Sequence, residues 1–292
     1  MKLALFGKSI RKEYYPYLLQ LINKLEENGC DLLVYKPFLE NLRKNKDFNY
    51  EATPFCNHSE LKGKADMVFS IGGDGTLLDT VSLVRDSGIP VLGINLGRLG
   101  FLSSISRDDI IPAVEKVLKG EYTLEPRTLL SLSSDADIFG DFHCALNDIT
   151  VTRKESMALI VIHVYVDGVF LNSYWADGLI VATPTGSTAY SLSSGGPIVS
   201  PGSENILITP LAPHNLTIRP IVISDKSEIS IRVEGRDSEY LVSLDSKTDV
   251  IEPGLELRIR RADFSFNLVK IEHKDFFTTI RDKLKWGLDV RN

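Results

Sequence analysis

The sequence predicts an α/β N-terminal Rossmann-like domain followed by a mostly-β, β-sandwich-like C-terminal domain. Up to about residue 120, short apolar runs alternate with helical repeats, as a parallel α/β sheet requires. After Pro126, the chain carries closely spaced runs rich in Val, Ile, Leu and Thr, which favour strands. We expect domains at 1–122 and 123–270, and a C-terminal segment at 271–292 that returns to pack on the first domain.

The first half contains the alternating elements of such a sheet. Strands are predicted at 3–6, 32–35, 67–71 and 90–95, and helices at 17–25, 77–84 and 108–118. Asn28-Gly29 and Gly88 are stop signals that end two of these helices. The polar stretch 40–60 shows no clear pattern and receives no assignment.

The second half contains shorter strand-like runs and one closing helix. Strands are predicted at 129–132, 145–152, 159–166, 169–171, 178–182, 228–233, 240–244 and 255–260. Asp167-Gly168 lies between two of them and predicts a hairpin, because Gly readily takes the positive φ of a tight turn. Residues 276–286 have the pattern of a helix.

The composition narrows the class of protein. The chain has 292 residues, of which 43% are hydrophobic and 25% charged, as in globular proteins with a core. A net charge of −6 gives no reason to expect nucleic acid or an anionic membrane as a partner. No run reaches the roughly 18 apolar residues that span a bilayer, and the N-terminal run is too short for a signal peptide. Three widely spaced cysteines indicate neither a disulfide framework nor a zinc site, so we expect a cytoplasmic protein with reduced thiols.

The first chemical motif is Gly72-Gly73-Asp74-Gly75-Thr76, which lies between a predicted strand and a predicted helix. Its glycines lack the Cβ atoms that would keep backbone N–H groups away from a phosphate. A carboxylate repels phosphate, so we expect Asp74 either to accept a proton from an attacking hydroxyl or to hold Mg²⁺. The structural alternative is a tight turn in which Asp74 caps the following helix.

A second loop rich in glycine and hydroxyl groups spans residues 183–197 and is preceded by Asp177-Gly178. The 72–76 motif resembles the signature of a kinase superfamily that contains NAD kinases, diacylglycerol and sphingosine kinases, and 6-phosphofructokinases. The 183–197 segment is similar to the NAD kinase signature and differs from the lipid kinases. Asn147-Asp148 stands where NAD kinases carry Asn-Glu, and the resemblance to the NAD kinase family covers essentially the whole chain.

The resemblance implies a reaction. NAD kinases transfer the γ-phosphoryl group of ATP, with Mg²⁺ or another divalent cation, to the 2′-hydroxyl of the adenosine ribose of NAD, and so produce NADP and ADP. Asp74 matches the proposed general base of the family, which agrees with the proton-acceptor role. The motifs contain no Cys or Lys nucleophile, so direct in-line transfer is expected instead of a phospho-enzyme. The family also implies a homotetramer or homodimer.

The resemblance further implies a set of NAD-binding residues. Asn147 and Asp148 would hold the adenosine, although Asp148 is one methylene shorter than the family's Glu. Asp177 would lie near the positively charged nicotinamide. The other implied contacts are Asp74, Gly75, Thr185, Thr188, Ala189, Tyr190, Ser191, Leu192, Ser193, Ala212 and Lys247, and the implied phosphate loop is Gly72, Gly73, Gly75 and Thr76. Taken alone, Asn-Asp and Asp-Gly pairs are ordinary turn sequences.

Two further positions depart from the family pattern. Trp175 stands where some relatives carry a basic residue, and an indole stacks on a ring but cannot pair with a phosphate. Lys247 lies in Asp245-Ser246-Lys247, where many relatives have Asp-Gly-Gln. Its positive charge would favour phosphate or alter feedback by NADP.

Two other functions fit parts of the sequence. A lipid kinase of the diacylglycerol type would share the Asp74 chemistry, but the chain shows no basic or amphipathic membrane-docking surface. A catalytically silent nucleotide-binding regulator would keep both loops, yet it would have little need for Asp74. The five histidines show no metal-ligand spacing: His58, His143, His163, His214 and His273. The sequence leaves open polyphosphate as donor, NADH as acceptor, and the roles of Arg98 and Phe101.

Overall fold

The structure is a computed structural model that describes residues 1–45, 48, 50–97, 100–154, 158–271 and 275–286. Arg98 and His273 therefore lie outside the described residues. The chain forms two compact units. The first comprises Met1–Glu125 and Asn267–Asn292, and the second comprises Pro126–Phe266. No helix in the described ranges is both long enough and apolar enough to cross a membrane.

The strands follow one another along the chain as β1 (Lys2–Gly7), β2 (Asp31–Tyr35), β3 (Thr53–Phe55), β4 (Met67–Ile71), β5 (Val91–Asn95), β6 (Ile105–Ser106), β7 (Thr123–Ser133), β8 (Cys144–Ala145), β9 (Asp148–Arg153), β10 (Ile160–Val166), β11 (Val169–Ala176), β12 (Gly178–Ala182), β13 (Asn205–Leu211), β14 (Ile221–Ser224), β15 (Ile229–Glu234), β16 (Tyr240–Leu244), β17 (Lys247–Ile251) and β18 (Leu257–Lys270). The helices are α1 (Tyr15–Glu27), α2 (Lys36–Leu42), α3 (His58–Leu61), α4 (Asp74–Val84), α5 (Ile110–Leu118), α6 (Tyr190–Ser193) and α7 (Phe276–Leu284). Short 3-10 turns precede α5 and α6.

The first unit contains a parallel sheet in the order β3-β2-β1-β4-β5. The chain runs outward from β1 to β3 and then starts again on the other side of β1 with β4. The strand order therefore reverses between β1 and β4, and such a switch point is where open α/β sheets bind ligands. Gly7 pairs with Ile71, so the loops that follow β1 and β4 leave the sheet side by side.

Helices α1 and α5 cover this sheet with apolar faces. Pro16 lies in the first turn of α1, where its missing N–H costs no helical hydrogen bond. The buried residues of the two helices recur at intervals of three and four: Leu18, Leu21, Ile22 and Leu25 in α1, and Ile110, Ala113, Val114 and Val117 in α5. Lys24 Nζ lies 2.6 Å from Glu115 Oε1 and links the helices at their surface.

The second unit is a β-sandwich. One sheet has the order β11-β10-β15-β18, and the other has the order β14-β13-β12-β9-β16-β17. The pairs within each sheet are antiparallel. Inward side chains of both sheets, such as Ile162 and Ile231 in one and Val181 and Val242 in the other, belong to one apolar core. All five residues of β12 are buried, so this strand holds a fixed position for the loop that follows it.

The predicted fold class is confirmed, and most predicted strands and helices are present. Asp167 and Gly168 have φ values of 51° and 77°, as the predicted hairpin requires. The unassigned stretch 40–60 contains the end of α2 together with β3 and the start of α3. The predicted strand 145–152 is divided into β8 and β9, because the backbone at Leu146 and Asn147 bonds to side chains instead of a neighbouring strand.

Candidate functional site

The 72–76 loop joins β4 to α4 and needs a glycine at its first position. Gly72 has a φ of 153°, and a Cβ there would lie 2.3 Å from Thr76 Oγ1. The Thr76 N–H donates to Gly73 O at 2.9 Å and closes the turn. A Cβ at Gly75 would meet no atom within 4 Å, so the backbone here is open to an approaching phosphate.

Asp74 is the first residue of α4, but its side chain does not cap the helix. The N-cap residue is Gly73, which has no side chain, and α4 has no side-chain hydrogen bond at its N-terminus. The alternative in which Asp74 caps the helix is therefore wrong. The Asp74 carboxylate instead accepts three backbone N–H groups from the segment that follows β5. Phe101 N lies 2.7 Å from Oδ2, Leu102 N lies 3.1 Å from Oδ1, and Ser103 N lies 2.9 Å from Oδ1.

These contacts leave little acceptor capacity on the Asp74 carboxylate. An ionised carboxylate offers about four acceptor positions. Oδ1 accepts two N–H groups and Oδ2 accepts one, so Oδ2 keeps one position for a proton or another ligand. Gly100 permits this arrangement, because a Cβ there would lie 1.8 Å from Oδ1.

In the second unit, Asn147 and Asp148 are held by the side chain of Asp245. Asp245 Oδ1 accepts the N–H groups of Asn147 at 2.7 Å and Asp148 at 3.2 Å, and Oδ2 accepts that of Leu146 at 2.8 Å. The Asp245 N–H donates to Asp148 O at 3.0 Å. Asp245 has a φ of 52° in the turn between β16 and β17, so this turn fixes the start of β9.

Asp148 is a buried acid, with only 6% of the residue exposed. Burial, and then the neighbouring charge of Asp245, raise the pKa of Asp148 to about 7, although a hydrogen bond from Thr150 opposes this. Burial also raises the pKa of Asp245, which three backbone N–H groups and the charge of Lys247 oppose. Three backbone N–H groups stabilise a negative charge on Asp245, so a proton on this pair is favoured on Asp148.

The start of the 183–197 loop packs directly against Asn147. Thr183 Oγ1 donates to Leu146 O at 2.6 Å, and the Thr183 N–H donates to Asn147 O at 2.9 Å. Gly186 N donates back to Thr183 Oγ1 at 3.0 Å. A Cβ at Gly186 would lie 2.0 Å from Asn147 O, so only glycine allows this approach.

Several hydroxyl groups of this loop are engaged inside the protein. Arg127 is buried, and its Nη1 donates to Thr185 Oγ1 at 3.3 Å. Thr188 Oγ1 donates to Thr185 O at 3.2 Å. The buried Ser191 Oγ lies 2.9 Å from Thr209 Oγ1. These bonds fix the loop backbone.

The remaining predicted residues of the loop lie at its surface. Tyr190 and Ser193 are exposed, and Ala189 and Leu192 are partly exposed, at or beside the short helix α6. The Tyr190 ring is therefore accessible from the solvent.

Three predicted residues lie elsewhere in the second unit. Asp177 is half-buried, and its Oδ1 lies 3.2 Å from Arg153 Nε. Ala212 is exposed and has a φ of 42°. The Lys247 ammonium lies 5.8 Å from the centroid of the Phe142 ring. Within the described ranges, no group of three or more His, Cys, Asp or Glu side chains has an arrangement that could hold a metal ion.

The structure adds residues that the sequence did not single out as site residues. Gly100 and Gly186 are needed for close approach to Asp74 and Asn147, and Asp245 braces Asn147 and Asp148. Each of these residues lies in or near a segment that the sequence had already marked. Gly100 is in 97–102, Gly186 is in the 183–197 motif, and Asp245 is two residues before Lys247.

Comparison with known proteins gives matches over nearly the whole chain. Residues 3–122 match the ATP-NAD kinase N-terminal domain, and residues 146–271 match the ATP-NAD kinase C-terminal domain. The NAD kinase of Cytophaga hutchinsonii is 43% identical over 293 residues, which covers 100% of both chains. The crystal structure of yeast NADH kinase complexed with NADH superposes with a TM-score of 0.89 at 26% identity, over 99% of this chain and 88% of that one. An NAD kinase from Archaeoglobus fulgidus in complex with ATP gives a TM-score of 0.75 at 26% identity, over 98% and 99% of the two chains.

Proposed function

The chain belongs to the ATP-NAD kinase family and phosphorylates NAD with ATP, and from this premise we propose how its residues carry out the reaction. The γ-phosphoryl group of ATP passes to the 2′-hydroxyl of the adenosine ribose of NAD. The family assignment sets aside the lipid kinase and the catalytically silent regulator.

The fixed carboxylate of Asp74 carries this proposal. The 2′-oxygen of NAD forms a bond to the γ-phosphorus while the bond from that phosphorus to the β–γ bridging oxygen breaks, and ADP leaves. The hydroxyl proton passes to Asp74 Oδ2, the oxygen that keeps an acceptor position. Three backbone N–H groups hold the carboxylate still, so little reorganisation is needed at the moment of transfer.

Mg²⁺ would enter with the nucleotide. The single acceptor position on Asp74 Oδ2 suits a proton or a metal ion, but not both at once. Mg²⁺ commonly binds through substrate phosphates and water with one or two carboxylates. We therefore assign Asp74 to the proton and the metal ion to the phosphates of ATP, where it would neutralise their charge.

The second unit would hold NAD. Asn147 and Asp148 are fixed from one side by Asp245 and from the other by the 183–197 loop, which supports a role in binding the adenosine. A protonated Asp148 can donate a hydrogen bond to a ribose oxygen as well as accept one. Asp177 would face the nicotinamide, with Arg153 offsetting part of its charge.

We also propose that the protein works as a homo-oligomer in the cytoplasm. Cys30, Cys56 and Cys144 are free thiols, as is usual in the reducing cytoplasm. Strand β11 is an outer strand of its sheet and exposes Val169, Phe170 and Trp175, which supports contact with a second copy of this chain.

The reaction is tested by a coupled assay in which NADP formed from NAD, ATP and Mg²⁺ is read by an NADP-specific dehydrogenase. We expect Asp74→Asn to bind NAD normally while kcat falls about 10²–10⁴-fold, as for the loss of a general base. A normal kcat in this variant would remove Asp74 from the mechanism. Wild-type protein that binds NAD but forms no NADP with ATP would overturn the proposed reaction.

The same assay decides two choices of substrate. Inorganic polyphosphate in place of ATP tests the donor. NADH in place of NAD tests the acceptor, for which the likeness to a yeast NADH kinase gives a specific reason.

A further inference from the structure

A cavity of about 470 Å³ opens in the first unit, where β1 and β2 end. Its walls come from three stretches of chain: the residues that end and follow β1, the junction of β2 with α2, and one side of α4. The polar lining residues are Lys8, Ser9, Tyr35, Asn41, Asp79 and Ser82. Cavities that bind small molecules have volumes of roughly 300–1,000 Å³, so this one has room for a nucleoside.

The topology places this cavity beside the phosphate loop. The strand order reverses between β1 and β4, and ligands of open α/β sheets bind in the crevice outside such a switch point. Gly7 pairs with Ile71, so the loop after β1 and the 72–76 loop are adjacent at this edge. Helix α4 begins at Asp74 and then supplies Asp79 and Ser82 to the cavity wall. A molecule in the cavity therefore lies along the helix that carries Asp74.

The lining suits an aromatic base with an amino group. The Tyr35 ring is partly exposed and contacts the Phe6 ring, which also lines the cavity, at a centroid distance of 4.9 Å. Asn41 Oδ1 is buried, and among the residues that the structure describes it has no hydrogen-bond partner. A buried acceptor without a partner needs an explanation, and an exocyclic amino group would provide its donor.

Lys8 supplies a positive charge at the mouth of this cavity. Its Nζ lies 2.6 Å from Asp79 Oδ2, and its side chain is 64% exposed. The Asp79 side chain is only 22% exposed. The Lys8 ammonium has three donors, so it can bind a phosphate group on its solvent side while it keeps Asp79 as a partner. A point charge of this kind is absent from the 72–76 loop itself, whose sequence contains no lysine.

We propose that this cavity binds the nucleoside of the phosphate donor and that Lys8 binds its phosphate chain. The proposal rests on the proposed function, because the donor is the ATP of that reaction. The base occupies the space between Tyr35 and Asn41, and the triphosphate runs past Lys8 toward the 72–76 loop. The acceptor NAD uses other residues, so donor and acceptor affinities should respond to different substitutions.

The first test replaces the charge. We expect Lys8→Met to raise the KM for ATP about 10-fold or more, as for a lost charged contact, while the KM for NAD stays within about 2-fold. Lys62→Met is the matched control, because Lys62 pairs with Asp86 at 3.0 Å in the same unit but does not line the cavity. An unchanged KM for ATP in Lys8→Met, or an equal rise for NAD, would overturn the role of Lys8.

The second test fills the cavity and needs no turnover. Calorimetry with saturating NAD measures binding of the non-hydrolysable ATP analogue that carries an imido group between its β- and γ-phosphates. We expect Ser82→Phe to weaken this binding at least 10-fold, and Lys8→Met serves in its place if circular dichroism shows that Ser82→Phe does not fold. Wild-type affinity in a folded Ser82→Phe variant would contradict the proposed cavity. Wild-type protein that binds the analogue here but forms no NADP would instead contradict the proposed reaction.

Discussion

At the scale of single residues, Gly100 decides how Asp74 is held. A methyl group at this position would lie 1.8 Å from Asp74 Oδ1, so Gly100→Ala must displace the carboxylate or the backbone that donates to it. A misplacement of about 1 Å can cost about 10²-fold in rate, and we expect kcat to fall by about this factor. The affinity for NAD should change little. Steady-state kinetics and direct NAD binding measure the two effects separately.

A double-mutant cycle separates positioning from general damage. If Gly100 acts through the Asp74 carboxylate, adding Gly100→Ala to Asp74→Asn should cost far less than it costs in the wild-type protein. The same factor in both backgrounds would show that Gly100 acts independently of Asp74. Gly202→Ala is the control for a tolerated glycine substitution, because its Cβ would meet no atom within 4 Å.

Asp148 gives the folded protein a specific pH dependence. Its pKa is about 7 in the folded protein and about 3.9 in an unfolded chain. Between these values the folded state holds a proton that the unfolded state has lost, so the free energy of unfolding falls as pH rises. Below about pH 4 both states hold the proton, and the ionisation of Asp148 does not lower the free energy of unfolding. By pH 8 the raised pKa lowers the free energy of unfolding by about 4 kcal/mol.

Denaturant unfolding of wild type and Asp148→Asn across this pH range measures the effect. Groups far from Asp148 titrate alike in both proteins and cancel in the difference, whereas Asp245 interacts with Asp148 and is part of the measured effect. We expect the variant to gain stability relative to wild type as pH rises from 4 to 8, since its amide stays neutral. Parallel stability curves over that range would show that folding does not raise the pKa of Asp148.

At the scale of elements, the turn between β16 and β17 stabilises the start of β9. Asp245→Ala removes the acceptor of three backbone N–H groups and leaves a residue with a Cβ at positive φ. We expect the free energy of unfolding to fall by about 3 kcal/mol or more, because unpaired buried donors cost about 1–3 kcal/mol each. Equilibrium unfolding in urea measures this loss, and NAD affinity should fall with it.

Ser246→Ala is the matched control, because Ser246 lies in the same turn and is exposed. Its substitution should change stability by no more than about 0.5 kcal/mol. Equal losses in the Asp245 and Ser246 variants would show that the turn alone matters, and that the bonds to 146–148 contribute nothing.

Element prediction failed where local pattern and tertiary context disagree. Strand β13 contains Pro210, which argues against a central strand, yet all but the first of its seven residues are buried between β12 and β14. Strand β3 is three residues long and two of them are exposed, so it has little apolar signal to detect. The length of β18 was also underestimated, because polar residues interrupt its apolar pattern.

The site shows the same limit. The 72–76 motif, which contains Asp74, and the 183–197 loop are each one continuous stretch of chain. Their residue types and spacing could therefore be read directly from the sequence. The contacts of Asp74 with Phe101 and of Asp245 with Asn147 join positions far apart in the chain. Such contacts depend on tertiary packing, which spacing along one sequence does not encode.

At the scale of the whole molecule, the proposed oligomer can be tested at strand β11. We expect size-exclusion chromatography with light scattering to give an oligomeric mass for the wild-type protein. A Phe170→Glu, Trp175→Glu double variant should give a smaller species, because burying charge at a self-contact is costly.

Leu124→Glu is the control, since Leu124 is also an exposed apolar side chain but lies in the other unit. It should leave the mass unchanged. A monomeric wild-type protein would contradict the oligomer itself, and an unchanged mass in the double variant would exclude β11 as its contact.

The long strand β18 also determines the order in which the protein can fold during synthesis. Leu268, near its end, pairs in parallel with Val91 of β5 in the first unit, although the intervening chain forms the whole second unit. On the ribosome, this part of the β5 edge stays without its neighbour until Leu268 has emerged. The first unit is begun before the second but is finished after it, so release of the nascent chain before Leu268 leaves an exposed strand edge that favours aggregation.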